Sequence, residues 1–586
     1  MRNSYELTRI LFLRYIGFIY AVAFLVAITQ NRGLIGDLGL TPAKNFMERI
    51  YSNAGSDRWR CATTVPTILW YIVDIGDGAD TYYRISVDTA LNIMGLLGFL
   101  LSCAVTVLGA ANVPMMATMW LLYTSIVNVG QTWYSFGWES QLLETGFLAI
   151  WLCPWVKILP RLSPARACPP SRTVIAWGYR WLLFRIMIGA GMIKIRGDEC
   201  WRDLTCMDYH YQTQPVPNPF SFFFHEAPHA WHRFETMGNH LVELLFPWLL
   251  LLGRDARFWG GVIQIIFQAV LICSGNLSFL NWLTIAPAIW CFDDAALLWC
   301  FHSTDIRTRH EANLMNGVGC AREDTEDGIG APPRDQPLKV SGESGAGDDN
   351  CKIRSANVKD SGDTFSSKEK AATLRDLPRR TFALLLFALL AKGSVPVVAN
   401  LLSSRQAMNT SFDVLRIVNT YGAFGTITRK RTEVVLQGTN ATTLNGSEEW
   451  RDFEFKCKPG AVDRRPCLIS PFHFRLDWLM WFAAFQSYQQ APWIVHITAR
   501  FLKGKGKDGE FAESYDAVRG LIASDPFIDR GEPPPHYIRA QHFQYRFADA
   551  SKGEVGWWHR DEIGNYLPPL NLGNPSLHQF LRDHGW

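Results

Sequence analysis

Charge is scarce in this chain. Charged side chains make up 19% of its 586 residues, below the roughly 25% of an average soluble protein. The 57 basic and 54 acidic groups leave a net charge of only +3. With no basic cluster interleaved with aromatics, so small an excess argues against a nucleic-acid partner. Catalytic signatures are missing too. There is no Walker loop and no dinucleotide fingerprint. A serine hydrolase needs G-x-S-x-G on a strand-to-helix elbow, and the nearest string, Gly342-Glu-Ser-Gly-Ala346, lacks the last glycine. These absences argue against a lipase, kinase or ATPase, and no motif calls for a cofactor.

What the chain has is aromatic surface and long apolar runs. Aromatics reach 13%, with 23 Trp, the side chain most at home where hydrocarbon meets water. Yet mean hydropathy is 0.00, so strongly polar segments balance the apolar ones. A compact soluble enzyme, a disordered chain and a bare bundle of spans are all excluded. The composition describes a polytopic α-helical membrane protein with a soluble domain.

Up to nine spans are expected: Ile10–Thr29, Thr89–Leu108, Val113–Gly130, Leu142–Leu159, Val174–Ile195, Gly238–Gly253, Phe258–Ser274, Leu277–Leu298 and Thr381–Leu401. The first lacks a small-residue cleavage site and reads as a signal anchor. The sixth and seventh fall short of the roughly 20 residues of a straight span, so nine is a maximum. Three glycosylation acceptors, Asn409, Asn440 and Asn445, crowd the stretch after the last span and place the C-terminus in the lumen. Nine crossings then put the N-terminus in the cytosol. The loop Pro160–Arg172, with Arg161, Arg166 and Arg172 and no acid, falls on the cytosolic side as the positive-inside rule requires.

The organisation follows: residues 1–301 form the membrane domain, with a lumenal loop over 196–237. Residues 302–380 have almost no large apolar side chain and read as a disordered cytosolic linker. Residues 381–401 are the last span and 402–586 a lumenal β-rich domain. Its strands are expected at Val414–Val418, Glu433–Gln437 and His542–Phe547, where Phe543, Tyr545 and Phe547 alternate with polar residues. Phe474–Leu502 has helical spacing and reads as a helix on the sheet or on the membrane surface. Of the 13 Cys, those on the lumenal side suggest two local disulfides, Cys200–Cys206 and Cys457–Cys467. Cys61 is left over, either as a free thiol or as a competitor for that pairing.

Two kinds of site residue stand out. His225-Glu-Ala-Pro-His229 matches the H-E-x-x-H zinc pattern, which needs both imidazoles on one helical face. Pro228 breaks that turn, so a polar loop with ordinary imidazoles is expected and no metal is assigned. Ionisable groups in the spans are a stronger signal, because an unpaired charge in hydrocarbon costs several kcal/mol. Glu139 and Glu144 open the fourth span; Arg185 and Lys194 lie on the fifth. Glu144 and Arg185 meet if those spans pack antiparallel, either as an intramembrane polar site or as a lock between two helices.

Several long strings then align with one family. GWESQLLETGFLAI (Gly137–Ile150), RWLLFRIMIGAGMIKIRGDECWRDLTCMDYHYQTQPVPNP (Arg180–Pro219), HRFETMGNHLVELL (His232–Leu245) and SGNLSFLNWLTI (Ser274–Ile285) resemble the lipase maturation factor family. So do IVNTYGAFGTITRKRTEVVLQGT (Ile417–Thr439) and CKPGAVDRRPCLISPFHFRLDWLMWFAAFQ (Cys457–Gln486). Total length and the short tail after Trp558 look more like its type 1 branch. The resemblance implies a multi-pass protein of the endoplasmic reticulum membrane that is chaperone-like rather than enzymatic. Its implied partners are dimeric secreted lipases such as lipoprotein lipase and hepatic lipase, helped to fold and assemble as active homodimers, with lumenal folding and redox machinery alongside. The implied client surfaces are the loop Arg196–Met237 and the domain Asn409–Trp586. Candidates there are Trp201, Tyr209, Tyr211, Phe220, Phe222, Phe223, Phe224 and Trp231. A shorter string, Ala190-Gly-Met-Ile-Lys194 with Gly197 and Trp201, is similar to the vitamin K-dependent γ-carboxylase superfamily. That likeness implies an alternative, a membrane-embedded enzyme with Lys194 as its base.

Overall fold

A computed structural model of the chain describes residues 4–75, 85–156, 171–300, 362–504 and 513–586. The first helix, α1 (Glu6–Ile35), is apolar enough to cross a membrane but has no cap from its own flank. Its leading amides at Glu6, Leu7 and Thr8 instead donate to the Asp294 carboxylate at 2.9, 2.8 and 3.3 Å. A helix start left unsatisfied locally is thus closed from a distant segment. The second long helix, α2 (Val87–Leu108), starts on the Ser86 hydroxyl, which accepts from the Thr89 amide at 3.2 Å. It stops at Gly109, whose φ of +64° suits a residue without Cβ. Glycines set the close approach of α1 and α2: a Cβ on Gly98 would stand 2.3 Å from the Phe24 ring, and one on Gly95 2.8 Å from Ile28.

The bundle continues with α3 (Val113–Val129), α4 (Gly137–Ile150) and α5 (Ser171–Arg196). Three short helices follow, α6 (Met207–Thr213), α7 (Pro219–His225) and α8 (His229–His240), then α9 (Arg254–Ser274), α10 (Leu280–Ala288) and α11 (Gly362–Leu402). Among the described residues, four helices are long and apolar enough to cross a membrane: α1, α2, α9 and the Arg380–Leu402 part of α11. Some expected spans take other forms. Gly238–Gly253 is a wide turn at Leu241–Leu245 running into a tight one at Phe246–Leu251, where Pro247 removes an amide donor. Leu277–Leu298 breaks at Phe292, whose backbone is extended, before a short helix capped by Asp293. The helix expected at Leu142–Leu159 ends at Ile150, and residues 157–159 lie outside the described ones. Helix α11 begins at Gly362, well ahead of Thr381; the rest of the expected linker, with Cys320 and Cys351, lies outside the described residues.

Beyond α11 come β1 (Arg431–Thr439), β2 (Arg451–Asp452), β3 (Glu454–Phe455), α12 (Arg475–Ala483), α13 (Trp493–Lys503), β4 (Ile522–Ser524), β5 (Tyr537–Phe547), β6 (Trp558–Leu570) and α14 (Pro575–Asp583). An antiparallel sheet runs β2-β1-β5-β6, and β3 pairs with β4 separately. In β5 the aromatics Phe543, Tyr545 and Phe547 are buried and alternate with half-buried polar residues, the period-2 pattern of the sequence. Val414–Val418 is not a strand. The Asp413 carboxylate accepts from the Ile417 and Val418 amides at 3.0 and 3.4 Å, and that local turn overrides β-branched propensity. Phe474–Leu502 forms two helices, α12 against β1 and α13 against β5. One apolar core joins Phe24 and Tyr123 of the bundle to Leu476, Trp478 and Ile494 of the C-terminal region.

Candidate functional site

The buried charges of the bundle do not gather at one point. They form separate pairs, two of which reach into the C-terminal region. Arg185 Nη2 pairs with Glu144 Oε1, and both side chains are only 2% exposed. The other carboxylate oxygen, Glu144 Oε2, accepts from the Asn419 backbone amide at 3.0 Å, its side-chain Nδ2 at 3.0 Å and the Tyr421 hydroxyl at 2.7 Å. Arg185 Nη1 donates to the Asn419 carbonyl at 2.7 Å. The pair therefore clamps the Asn419–Tyr421 segment as well as two helices. Glu139 is matched by Arg475, whose Nη1 donates at 2.6 Å to Oε1 and at 2.7 Å to the Trp133 carbonyl. The Tyr123 hydroxyl and the Trp138 indole also donate to Glu139, and the Arg475 guanidinium lies 3.6 Å from the Tyr134 ring centroid. Lys194 stands apart: its Nζ donates to Glu243 at 2.6 Å and Asn239 at 3.0 Å and lies 4.8 Å from the Trp201 ring centroid.

Sequence reasoning finds Glu139, Glu144 and Arg185 because they interrupt apolar runs. It misses Asn419, Tyr421 and Arg475, which lie in polar or aromatic surroundings where their presence raises no alarm. A third junction was equally silent. Arg431, fully buried, donates to Glu433 at 2.6 Å and to the Gln212 and Pro215 carbonyls at 2.9 Å each. It fastens the loop after α5 to the sheet, and the Trp201 indole ties the same loop to the segment ahead of β1 by donating to the Phe424 carbonyl at 2.8 Å.

That loop holds the expected Cys200–Cys206 disulfide, and Cys457–Cys467 closes the turn before α12. Cys61 is a buried free thiol. The aromatic candidates divide by exposure. Trp201 and Tyr211 are buried, while Tyr209 and Phe222 are half-buried in packing contacts with the disulfide cluster and with Phe547 and Trp557. These four do not present a free surface. Phe220, Phe223 and Trp231 are exposed, and Phe234, which the sequence did not single out, joins them at 65% exposure. Its ring centroid lies 5.4 Å from that of Trp231. Asn409, Asn440 and Asn445 are all exposed.

Pro228 precedes the first residue of α8, so His225 and His229 sit on different helices and the H-E-x-x-H reading has no common face. A different set converges: His229 Nδ1 and His232 Nδ1 lie 2.7 and 2.8 Å from the same Asp208 oxygen, Oδ1. His232 Nε2 donates to the Phe224 carbonyl at 2.9 Å. Around a tetrahedral zinc with bonds of about 2.0–2.1 Å, neighbouring ligand atoms stand roughly 3.3 Å apart. The separations here are those of hydrogen bonds, and Asp208 acts as a clamp that ties α8 to α6. Burial, then the neighbouring His232, pushes His225 down to about 4. Burial, then Lys194, does the same to His210.

A helical bundle with membrane-crossing helices, into which a sheet-bearing C-terminal region is keyed by buried ion pairs, defines a multi-pass membrane protein of fixed domain arrangement. Residues 7–299 match the lipase maturation factor transmembrane domain and residues 417–568 the lipase maturation factor C-terminal domain. The chain belongs to the lipase maturation factor family. It is 47% identical to lipase maturation factor 1 of Mus musculus over 591 residues, covering 100% of this chain and 90% of that protein. For the Homo sapiens protein of the same name the identity is 46%, covering 100% and 91%. Lipase maturation factor 2 of Rattus norvegicus is 29% identical, covering 98% and 84%; the type 1 likeness is the stronger. No solved structure matches the chain.

Proposed function

We propose that this chain serves lipase maturation in the endoplasmic reticulum membrane, as a chaperone-like factor through which secreted lipases fold and assemble as active homodimers. The observation that carries this reading is the relationship to lipase maturation factor 1 along the entire chain. The N-terminus is cytosolic and the C-terminus lumenal, which needs an odd number of crossings. The three exposed sequons are glycosylated on that side, and the linker lies on the other. Four exposed aromatics, Phe220, Phe223, Trp231 and Phe234, form the client contact in this reading, because exposed apolar side chains suit an unfinished apolar interface. No chemistry of its own is assigned. Lys194, the base of the enzymatic alternative, has its ammonium engaged by Glu243 and Asn239, which is the role of a structural pair.

The test is co-expression of lipoprotein lipase in cells lacking this chain. Lipase activity and dimer fraction fall while lipase synthesis holds, and the full-length chain restores both. Unchanged activity overturns the proposal. Glycosidase-sensitive mobility shifts, lost one by one in Asn409→Gln, Asn440→Gln and Asn445→Gln, check the orientation. The paired change Phe223→Ser with Phe234→Ser lowers lipase capture severalfold at unchanged protein level.

A further inference from the structure

At the end of the bundle where α1 and α9 begin, two arginines from different helices converge on one tyrosine. Arg180 of α5 and Arg257 of α9 are 3% and 8% exposed. Arg180 Nη2 donates to the Tyr5 hydroxyl oxygen at 2.9 Å and Arg257 Nη2 to the same atom at 3.2 Å. Their Nε atoms donate to the Trp290 and Cys291 carbonyls, at 3.1 and 3.2 Å, in the turn after α10. The two cations thus stand within about 6 Å of one another, a repulsive arrangement.

Nothing in the surroundings balances that charge. The buried carboxylates at this end are engaged elsewhere: Glu6 by Arg172 and Arg9, Asp293 by Arg254, and Asp294 by the leading amides of α1. Asp255, in the first turn of α9, is exposed. Among the described residues no carboxylate pairs with Arg180 or Arg257, and a buried charge without compensation is costly. Their Nη1 atoms have no partner either, but these are not sealed inside the protein. The Tyr5 oxygen accepts both arginines and so keeps its own proton for a third group. Trp177, 5.2 Å from the Arg180 guanidinium, and Trp259 are both exposed, as side chains at head-group depth are.

We propose that Arg180, Arg257 and the Tyr5 hydroxyl bind a phosphomonoester, carried as the head group of an anionic lipid in the leaflet beside the N-terminus. Such a group holds about 1.5–2 negative charges at pH 7, which matches two guanidiniums, and its oxygens suit their planar forks. No residue of this site belongs to the aromatic surface assigned to the client.

The experiment titrates the purified full-length chain in neutral detergent with dioleoyl phosphatidic acid and reads bound lipid by native mass spectrometry. One phosphatidic acid is retained per chain. Phosphatidylcholine is not retained, and phosphatidylglycerol, a diester of single charge, binds at least tenfold more weakly. Millimolar inorganic phosphate leaves the lipid in place. Arg257→Met lowers the affinity about tenfold, the scale of one charge-assisted hydrogen bond. In lipid-free detergent the same variant melts no lower than the parent chain, because it removes an uncompensated buried charge. Should it fold poorly, Arg257→Lys keeps the charge without the fork and lowers the affinity at an unchanged thermal midpoint. Arg14→Gln, at an exposed position on α1, retains full binding. Equal retention of phosphatidylglycerol, displacement by inorganic phosphate, full binding by Arg257→Lys, or an equal loss in Arg14→Gln overturns the proposal.

Discussion

Both carboxylate oxygens of Glu144 are occupied: one by Arg185, the other by Asn419 and Tyr421. Removing one partner of such a buried pair leaves a charge without compensation, at about 3–5 kcal/mol. Glu144→Gln should therefore lower the thermal midpoint strongly, whereas the double change Glu144→Gln with Arg185→Met should recover part of the loss in a detergent melt. His496 makes a second case outside the bundle. Its Nδ1 donates to the Leu40 carbonyl at 2.7 Å and its Nε2 accepts from Arg500 at 3.0 Å, which fixes the neutral imidazole. Burial, then Arg500, pushes its pKa down to about 3. A base depressed on folding stabilises the fold above its unfolded value near 6.5 and loses that contribution as pH falls toward the folded value. The thermal midpoint should drop between pH 7 and 5, and His496→Gln should show a shallower drop. Glu235 and Asp477, both raised by burial, oppose the trend, so the informative quantity is the difference between the two slopes.

Among the elements, the α1–α2 seam depends on absent side chains. Any Cβ on Gly98 collides with the Phe24 ring at 2.3 Å, and overpacking of this kind costs about 1–3 kcal/mol. Gly98→Val should depress the thermal midpoint, and adding Phe24→Ala should return part of it. The first two spans were legible because their apolar runs are long and their ends are marked, by Ser86 and Gly109 for α2. β5 was legible because burial alternates along it. The shorter apolar elements were not: Pro247 and the extended Phe292 interrupt runs that hydropathy alone reads as continuous. The strand expected at Val414–Val418 failed because a side-chain turn at Asp413 outweighed propensity. Exposure of the loop aromatics was equally hidden, since Trp201 and Trp231 look alike in sequence and differ only in what folds over them.

For the whole molecule, the pairs Glu144–Arg185 and Glu139–Arg475 and the shared core make the two regions one cooperative unit. Residues 403–586 expressed alone should expose Arg431, Arg475 and much of the apolar face of α12. That fragment should bind a hydrophobic dye and lack near-ultraviolet circular dichroism; a sharp melting transition would refute the shared core. The position of Asp294 carries a temporal consequence. It closes the amino end of α1, yet Glu6 and Asp294 are 288 residues apart. At roughly 5–20 residues per second, the ribosome takes on the order of 15–60 s to make what lies between. Through that interval the first membrane helix waits with open amides at its head, so biosynthesis must shelter it until the middle of the chain emerges.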